Sequence, residues 1–559
     1  MDLHPAARVL PFRHQGPFVT RGDGGILCFD AAAAHISHDE GLTWTSHPFV
    51  ADSSRFQPST ENALLRTRSG TVIAAWINLA EKQFAPGWQW GGGPEIFAQW
   101  ILPLYVSRSQ DDGLTWEAPI LLNRPWCGCV HSIIQTRTGR IVLVGQEIIP
   151  AWRHATVMFL SDDEGRTWQR SNVLDIGQGA HDHAGSCEGT VIERRDGSLY
   201  LLLRNETGVL YAATSHDDGT TWVELQPTTI HTVKCCPQLT TLADGTVALL
   251  WNPPPRYDPA EPVTRDELAL ALSSDDGRTW SKPVIVAADY SRVRELPDYI
   301  RASYPYLYER RPDECWITTM YGDVRIKLDP AQLTAGTIPL PPLVVLFGDS
   351  TTARRPAEVQ TVYAQHLQTR LIQAGLDHTV ANRGVPANTT TDALARFESD
   401  VLALNPELVV IQFGLNDAAV DVWRDPPATG PRVPVDRYSA NLRHMVETLQ
   451  ARGCAVVLMT PNRMYWSPLL LERYAKPPYD PADPETFNAR IEAYADAMRA
   501  LAIERRVPLI DINQAYRDSG DPRQFLLERC MQHPSDRGHA LVADLLAPLV
   551  IDLLRQRSG

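Results

Sequence analysis

The chain has 559 residues, a formal charge of -14 and a pI near 5.6. That length is more than one hydrophobic core organises, so at least two domains are expected. The acidic balance argues against nucleic acid or an anionic membrane surface as the main partner. No stretch reaches the ~18 apolar residues of a membrane span, and Met1 to Thr20 lacks the apolar core of a secretion signal, so a cytoplasmic location is expected. The nine cysteines are scattered from Cys28 to Cys530 and imply no disulfide framework. Cys127-Gly128-Cys129 lacks the second ligand pair of a zinc site, and no cofactor or metal is expected.

The first pattern met along the chain is a repeat. Residues 37–44 fit S-x-D-x-G-x-T-W, and the same box returns at 109–116, 161–168, 215–222 and 273–280. The boxes are separated by roughly 50 to 70 residues, about the length of one propeller blade. The Asp and Gly suit a tight turn between outer strands, and the Trp suits packing between blades, so the box reads as scaffold. Strand pairs precede each box, as in residues 191–201 around Asp196-Gly197. A sixth unit, residues 304–328, lacks the box, which makes six blades.

These features resemble the sialidase-like, Asp-box six-bladed β-propellers over roughly residues 1–335. The resemblance implies a site of three arginines, a Tyr nucleophile polarised by a Glu, and an Asp acid. Carried over position by position, it implies that Glu188 is the Glu, that Arg204 and Arg265 belong to the arginine cluster, and that Tyr304 is the nucleophile. Two positions depart: Gln15-Gly16-Pro17 stands where the family has Arg-Ile-Pro, leaving Arg13 nearby, and the connection that carries the acid has shrunk to residues 30–34. The enlarged connection 51–99, with Arg55, Glu61 and the run from Trp88 to Gly93, is a source of replacements or of a sugar-stacking platform. His131, His181, Asp182, His183 and His231 also fall near blade connections.

A Pro-rich linker, 336–342, follows, and the pattern then changes to alternating strands and helices. Strands are predicted at 344–347, 378–382, 408–413, 455–460 and 507–512, with helices between them, as at 357–374 and 438–452. This order implies a three-layer α/β domain, residues 343–559, with a parallel sheet. Gly348-Asp349-Ser350 ends the first strand and places a hydroxyl where such sheets bind ligands. An ester hydrolase needs a nucleophile, oxyanion donors and a base. Ser350 supplies the first, the Gly384 N–H and the Asn416 amide the second, and His533 the third.

This set, Gly-Asp-Ser, Gly, Gly-x-Asn-Asp and His-Pro, resembles the SGNH (GDSL-type) hydrolases. The resemblance implies that Ser350, Gly384, Asn416 and His533 converge as a serine-hydrolase site. The family has an Asp three residues before the His, but here that position is Cys530, so either His533 works without it or Asp536 supplies a carboxylate in a shifted frame with His539. The connection 461–486, rich in aromatics and prolines, is long enough to roof the site. The expected function is removal of O-acetyl or other short acyl groups from a carbohydrate, an acidic sugar recognised by the propeller. The alternatives are a bifunctional glycosidase and esterase, or a propeller that only binds glycan.

Overall fold

The computed structural model describes residues 1–30, 33–84, 100–150, 153–179, 184–257, 264–290, 301–333, 337–355 and 358–558. His181, Asp182, His183 and the Trp88–Gly93 run lie outside them. The chain forms two compact units, one made of most of residues 1–338 and one of residues 339–559 with two short pieces from earlier in the chain.

The first unit is a propeller of six antiparallel sheets. The fourth blade shows the pattern: Cys187–Glu193, Leu199–Arg204, Val209–Ser215 and Val223–His231 pair in succession. The chain's first residues complete the ring, which sequence patterning did not foretell. Asp2–Leu3 pairs with Val284–Ala288 of the fifth blade, and Arg8–Val9 pairs with Arg325–Leu328 of the sixth. Strands of two residues carry too little hydrophobic alternation to be read.

The boxes are self-contained hydrogen-bonded loops. In the first, Asp39 accepts from Thr43 N at 2.8 Å and from Thr43 Oγ1 at 2.7 Å, while Gly41 N donates to Ser37 Oγ at 2.9 Å and Trp44 Nε1 to Gly41 O at 2.9 Å. Glu40 and Gly41 both take left-handed backbone, with φ of 59° and 83°. Such a pair is cheapest when one member is Gly, which is why the box needs it. Trp222 is buried among Val142 and Leu160 of the third blade and Leu199 of the fourth, so it packs between blades as expected.

The second unit is a five-stranded parallel sheet in the chain order second, first, third, fourth, fifth. Its strands are Leu343–Gly348, Thr379–Gly384, Leu408–Gln412, Ala455–Met459 and Leu509–Ile510. Alternate residues of the first strand face opposite layers. Val344 and Leu346 pack with Tyr363, Leu367, Leu546 and Val550 of helices Tyr363–Gln373 and Asp536–Ser558. Phe347 meets Phe397 and Phe413 on the other side, with ring centroids 5.8 and 5.4 Å away. A strand buried on both faces must be apolar throughout, which is why this one read so clearly.

Two boundaries differ from the prediction. The fifth strand is only Leu509–Ile510, because the Asp511 carboxylate accepts from Gln514 N and starts a helix, Ile512–Asp518. The first helix starts at Tyr363 rather than Ala357. The Asp536 carboxylate takes the amides of Gln360 and Thr361 at 2.8 and 3.0 Å, and Gln365 accepts from Val362 N at 3.0 Å, holding that lead-in outside the helix. No helix of the described residues is long and apolar enough to cross a membrane.

Leu346 is fully buried between strand and helices. Leu346→Ala is expected to destabilise the second unit by ~2–5 kcal/mol, read as a lower urea midpoint. An unchanged midpoint would contradict this packing.

Candidate active site

Parallel pairing sets Gly348 beside Gly384 on one side and Gln412 on the other, so three strand ends share one edge. In this strand order the chain runs both ways from the first strand, and the crevice between the first and third strands is where open α/β sheets bind ligands. Ser350 follows the first strand and Asn416 the third. The turn is closed by Asp349, whose carboxylate accepts from Thr351 N and Oγ1, both at 2.8 Å, and whose carbonyl accepts from Ala353 N at 3.0 Å. The turn lies directly on Gly384. A Cβ there would sit 2.2 Å from Ala353 N and 2.6 Å from Ala353 Cα, so only glycine fits.

His533 arrives on the loop before the last helix, and its Nε2 lies 2.9 Å from Ser350 Oγ. The loop is pinned by backbone: Leu527 N donates to His533 O at 2.8 Å, and Tyr465 N to Met531 O at 2.9 Å. On the far side of the ring, Cys530 Sγ is 3.3 Å from Nδ1. Burial, with the positive charge of Arg355 adding to it, pushes the imidazole down to about 4, so it is neutral at neutral pH and free to accept a proton, though as a weaker base than an exposed histidine.

Asn416 lies in the first turn of the short helix Leu415–Ala418. Its Nδ2 donates to Asn388 O at 3.1 Å and weakly to Asp349 Oδ2 at 3.4 Å, and its Oδ1 accepts from Arg432 Nη1 at 3.2 Å. The Gly384 N–H donates to Asn382 Oδ1 at 3.0 Å, so it can serve an oxyanion only by sharing that bond. The Ser350 N–H has no acceptor among the described residues. Ser350, Asn416 and His533 line one pocket of about 70 Å³, walled by Met464, Tyr474 and Tyr479 of the 461–486 connection.

In the propeller, Glu188, Arg204, Arg265 and Tyr304 also come together. Glu188 Oε1 accepts from Arg204 Nη1 at 2.5 Å and from Tyr304 Oη at 2.9 Å, and the Arg265 guanidinium lies over the Tyr304 ring at 5.3 Å. Glu188 and Tyr304 both hold left-handed backbone, with φ of 49° and 56°. Non-glycine residues in that region cost on the order of 1–3 kcal/mol and gather at functional sites. Burial would raise the Glu188 carboxyl, but the charge and hydrogen bond of Arg204 hold it below the usual range. Glu61 of the neighbouring Pro58–Arg66 strand is pushed the other way, to about 8, by burial and by the charge of Glu188.

Of the remaining candidates, His131 borders this cluster through Glu61, and the others lie elsewhere. Gln15 Nε2 donates to Thr60 O at 2.9 Å, and Asp30 pairs with His35 at 2.9 Å. Arg55 lies over the Phe56 ring. His131 is packed on Tyr306 and bonded to Pro305 O at 2.7 Å, while the exposed His231 ends the fourth blade's last strand.

Residues 30–313 match the BNR repeat-like domain family, and residues 346–541 match the GDSL-like lipase/acylhydrolase family. The chain belongs to the BNR repeat-like family and carries a GDSL-like hydrolase domain. It is 28% identical over 170 residues to an acetylxylan esterase of Geobacillus stearothermophilus, covering 29% of this chain and 68% of that protein. It is 25% identical over 342 residues to a sialidase of Micromonospora viridifaciens, covering 55% of this chain and 49% of that protein, so it spans about half of the sialidase's length. A solved lipase/acylhydrolase from Enterococcus faecalis is 25% identical, with a TM-score of 0.31, covering 38% of this chain and 96% of that one.

Within the GDSL-like domain, Asp536 is not brought to His533 as a sequence-derived catalytic carboxylate would be. Its Oδ1 is occupied by the Gln360 and Thr361 amides, and His539 Nδ1 accepts from Tyr363 N at 3.3 Å, so both brace the first helix. Asp417, next to Asn416, accepts from Thr390 N and Oγ1 at 2.9 and 2.6 Å, and so holds the helix Thr390–Asp400 in place. Sequence reasoning missed Arg432, which fixes the Asn416 amide and is itself held by Asp421 at 2.8 Å. It sits in a loop with no periodic pattern, so no spacing announces it.

The depressed His533 pKa has a signed consequence for pH. Below about 6.5 the unfolded chain protonates this histidine and the folded chain does not until about 4. Stability from this group is therefore full above 6.5, falls between 6.5 and 4, and changes no further below. NMR titration of His533 is expected to show a midpoint near 4; a midpoint at 6.5 or above would contradict the buried, unpaired-by-carboxylate environment.

Proposed function

We propose that the protein is a serine esterase that removes O-acetyl groups from a carbohydrate. The observation that carries this is the 2.9 Å contact between Ser350 Oγ and His533 Nε2 inside a pocket of about 70 Å³. That volume is about half of the ~150 Å³ cavity that admits benzene, room enough for an acetyl group. The GDSL-like domain's similarity to an acetylxylan esterase supports the same class of substrate.

Ser350 Oγ attacks the acetyl carbonyl carbon as its proton passes to His533 Nε2. The Ser350 N–H stabilises the oxyanion, joined by the Asn416 Nδ2–H as it gives up its weak 3.4 Å bond to Asp349 and by the Gly384 N–H as it shares its bond to Asn382. Collapse breaks the bond to the sugar oxygen, which leaves with the proton from Nε2. Water then attacks the acetyl-serine, again giving its proton to His533, and acetate departs while Ser350 recovers its proton. Throughout, the His533 Nδ1–H faces the Cys530 sulfur, a weaker acceptor than a carboxylate.

An acidic sugar is the substrate that best suits the charge of the site. Arg490 lines the pocket and has no carboxylate partner within ion-pair reach among the described residues, whereas Arg432 is neutralised by Asp421. A second reading, glycoside cleavage by the propeller, is favoured by the Tyr304–Glu188–Arg204 cluster and its strained backbone. Among the described residues two arginines attend Tyr304, and Glu61 is the acidic group beside the cluster that could replace the missing acid.

Mass spectrometry of O-acetylated acidic oligosaccharides is expected to show acetate loss that falls at least ~10³-fold in Ser350→Ala. Sugar release that survives Ser350→Ala and disappears in Tyr304→Phe would establish the second activity, and no loss of acetate by the unaltered chain would sink the first. Cys530→Asp is expected to raise kcat by roughly 10-fold, a fraction of the ~10²–10⁴ that a well-poised base supplies in full. It should also move the acid limb of the pH profile upward, because a carboxylate stabilises the imidazolium. A drop in kcat with an unmoved limb would show that Cys530 does not occupy the orienting position.

A further inference from the structure

The first blade holds a group of side chains that neither reading uses. His35 lies on the strand Ala33–Ser37, Asp30 follows the strand Ile26–Phe29, and His14 comes from the segment entering the blade. One ligand atom from each lies within 4.8 Å of the others, and no other such group of His, Cys, Asp or Glu occurs among the described residues. His14 and Asp30 edge a cavity of about 520 Å³, also lined by Arg13, Trp44 and Arg325.

The separations are compatible with neighbouring ligands of one ion. His35 Nε2 is 2.9 Å from Asp30 Oδ2. Two donors ~2.1 Å from one ion at a right angle lie ~3.0 Å apart. The His14 and His35 ring centroids are 4.4 Å apart. Two imidazoles bound to one ion at a right angle place their centroids at roughly 4.5 Å on the same bond lengths. His35 is buried, and its other nitrogen is 3.0 Å from Ser46 Oγ, across the hairpin. An outer hydrogen bond of this kind fixes the tautomer of a metal-bound histidine.

We propose that His14, Asp30 and His35 bind one first-row divalent transition-metal ion, with open positions toward the cavity. Two imidazoles and one carboxylate suit zinc, iron, nickel or copper rather than calcium or magnesium. One carboxylate leaves the bound ion with net positive charge. Arg325, held in place through Arg13 O, Thr319 O and Val324 O at 3.0, 2.7 and 2.7 Å, adds a second positive charge beside the cavity. An anionic oxygen ligand, such as a carboxylate, therefore completes the coordination. The competing arrangement is a plain hydrogen bond, His35 Nε2–H to Asp30, with the Ser46 hydroxyl donating to Nδ1.

The test uses the tag-free full-length chain, stripped with a chelator, dialysed against Zn²⁺ or Co²⁺, and measured by elemental analysis and visible absorption. About one equivalent is expected, with a cobalt ligand-field band. His14→Ala and Asp30→Asn should each weaken binding by more than the ~10–100-fold that loss of an outer partner costs. Zn²⁺ should raise the melting temperature of the unaltered chain and not that of His14→Ala. His14 is only half-buried, so this variant keeps the fold even if Asp30→Asn does not. No stoichiometric uptake, or uptake unchanged in His14→Ala, would overturn the proposal in favour of the plain hydrogen bond.

Discussion

The 2.9 Å contact between His533 Nε2 and Ser350 Oγ joins residues 183 positions apart, and the second unit is arranged so that they meet. The parallel register puts the Ser350 turn at the sheet's edge beside Gly384. The last helix and the loop before it return across that edge with the histidine. Asp536 and His539, on the first turns of that helix, tie it to the lead-in of the first helix, so their part in the site is to hold His533 where it stands. Loss of the register or of this tie would leave a serine of ordinary reactivity, because a hydroxyl has no use as a nucleophile without a base in reach.

The base is built without a carboxylate. A buried imidazole with sulfur on one side and a hydroxyl on the other remains neutral across the neutral range, unprotonated but with its basicity lowered. The cost is weaker support for the imidazolium that forms during reaction. Arg432, Asp421 and Asp349 set the Asn416 amide, so the oxyanion side rests on charged groups while the base side does not. In the propeller the polarity is reversed. There Glu188 is held ionised beside two arginines, and Glu61 close by is pushed up to about 8 by burial and, after it, by the same carboxylate.

Much of this was legible in the sequence, for identifiable reasons. The boxes repeat because each must close the same loop, and the first strand of the sheet is a pure apolar run because both its faces are buried. Ser350, Asn416 and His533 stood out because each follows a strand or precedes a helix at a sheet edge. Glu188, Arg204, Arg265 and Tyr304 emerged through resemblance, and they do converge. What could not be read depends on contacts between distant segments. The N-terminal strands complete the fifth and sixth blades, Arg432 grips Asn416 from a patternless loop, and the Asp536 carboxylate caps a helix lead-in 176 residues earlier in the chain. A two-residue strand or a single carboxylate leaves no periodic trace.

The most direct measurement is covalent labelling of the full-length chain with a fluorophosphonate, followed by peptide mapping. A serine made nucleophilic by a neutral histidine is expected to take the label, one per chain, on Ser350, with labelling lost in His533→Ala. A label on another residue, or labelling of Ser350 that persists unchanged in His533→Ala, would contradict the Ser350–His533 account.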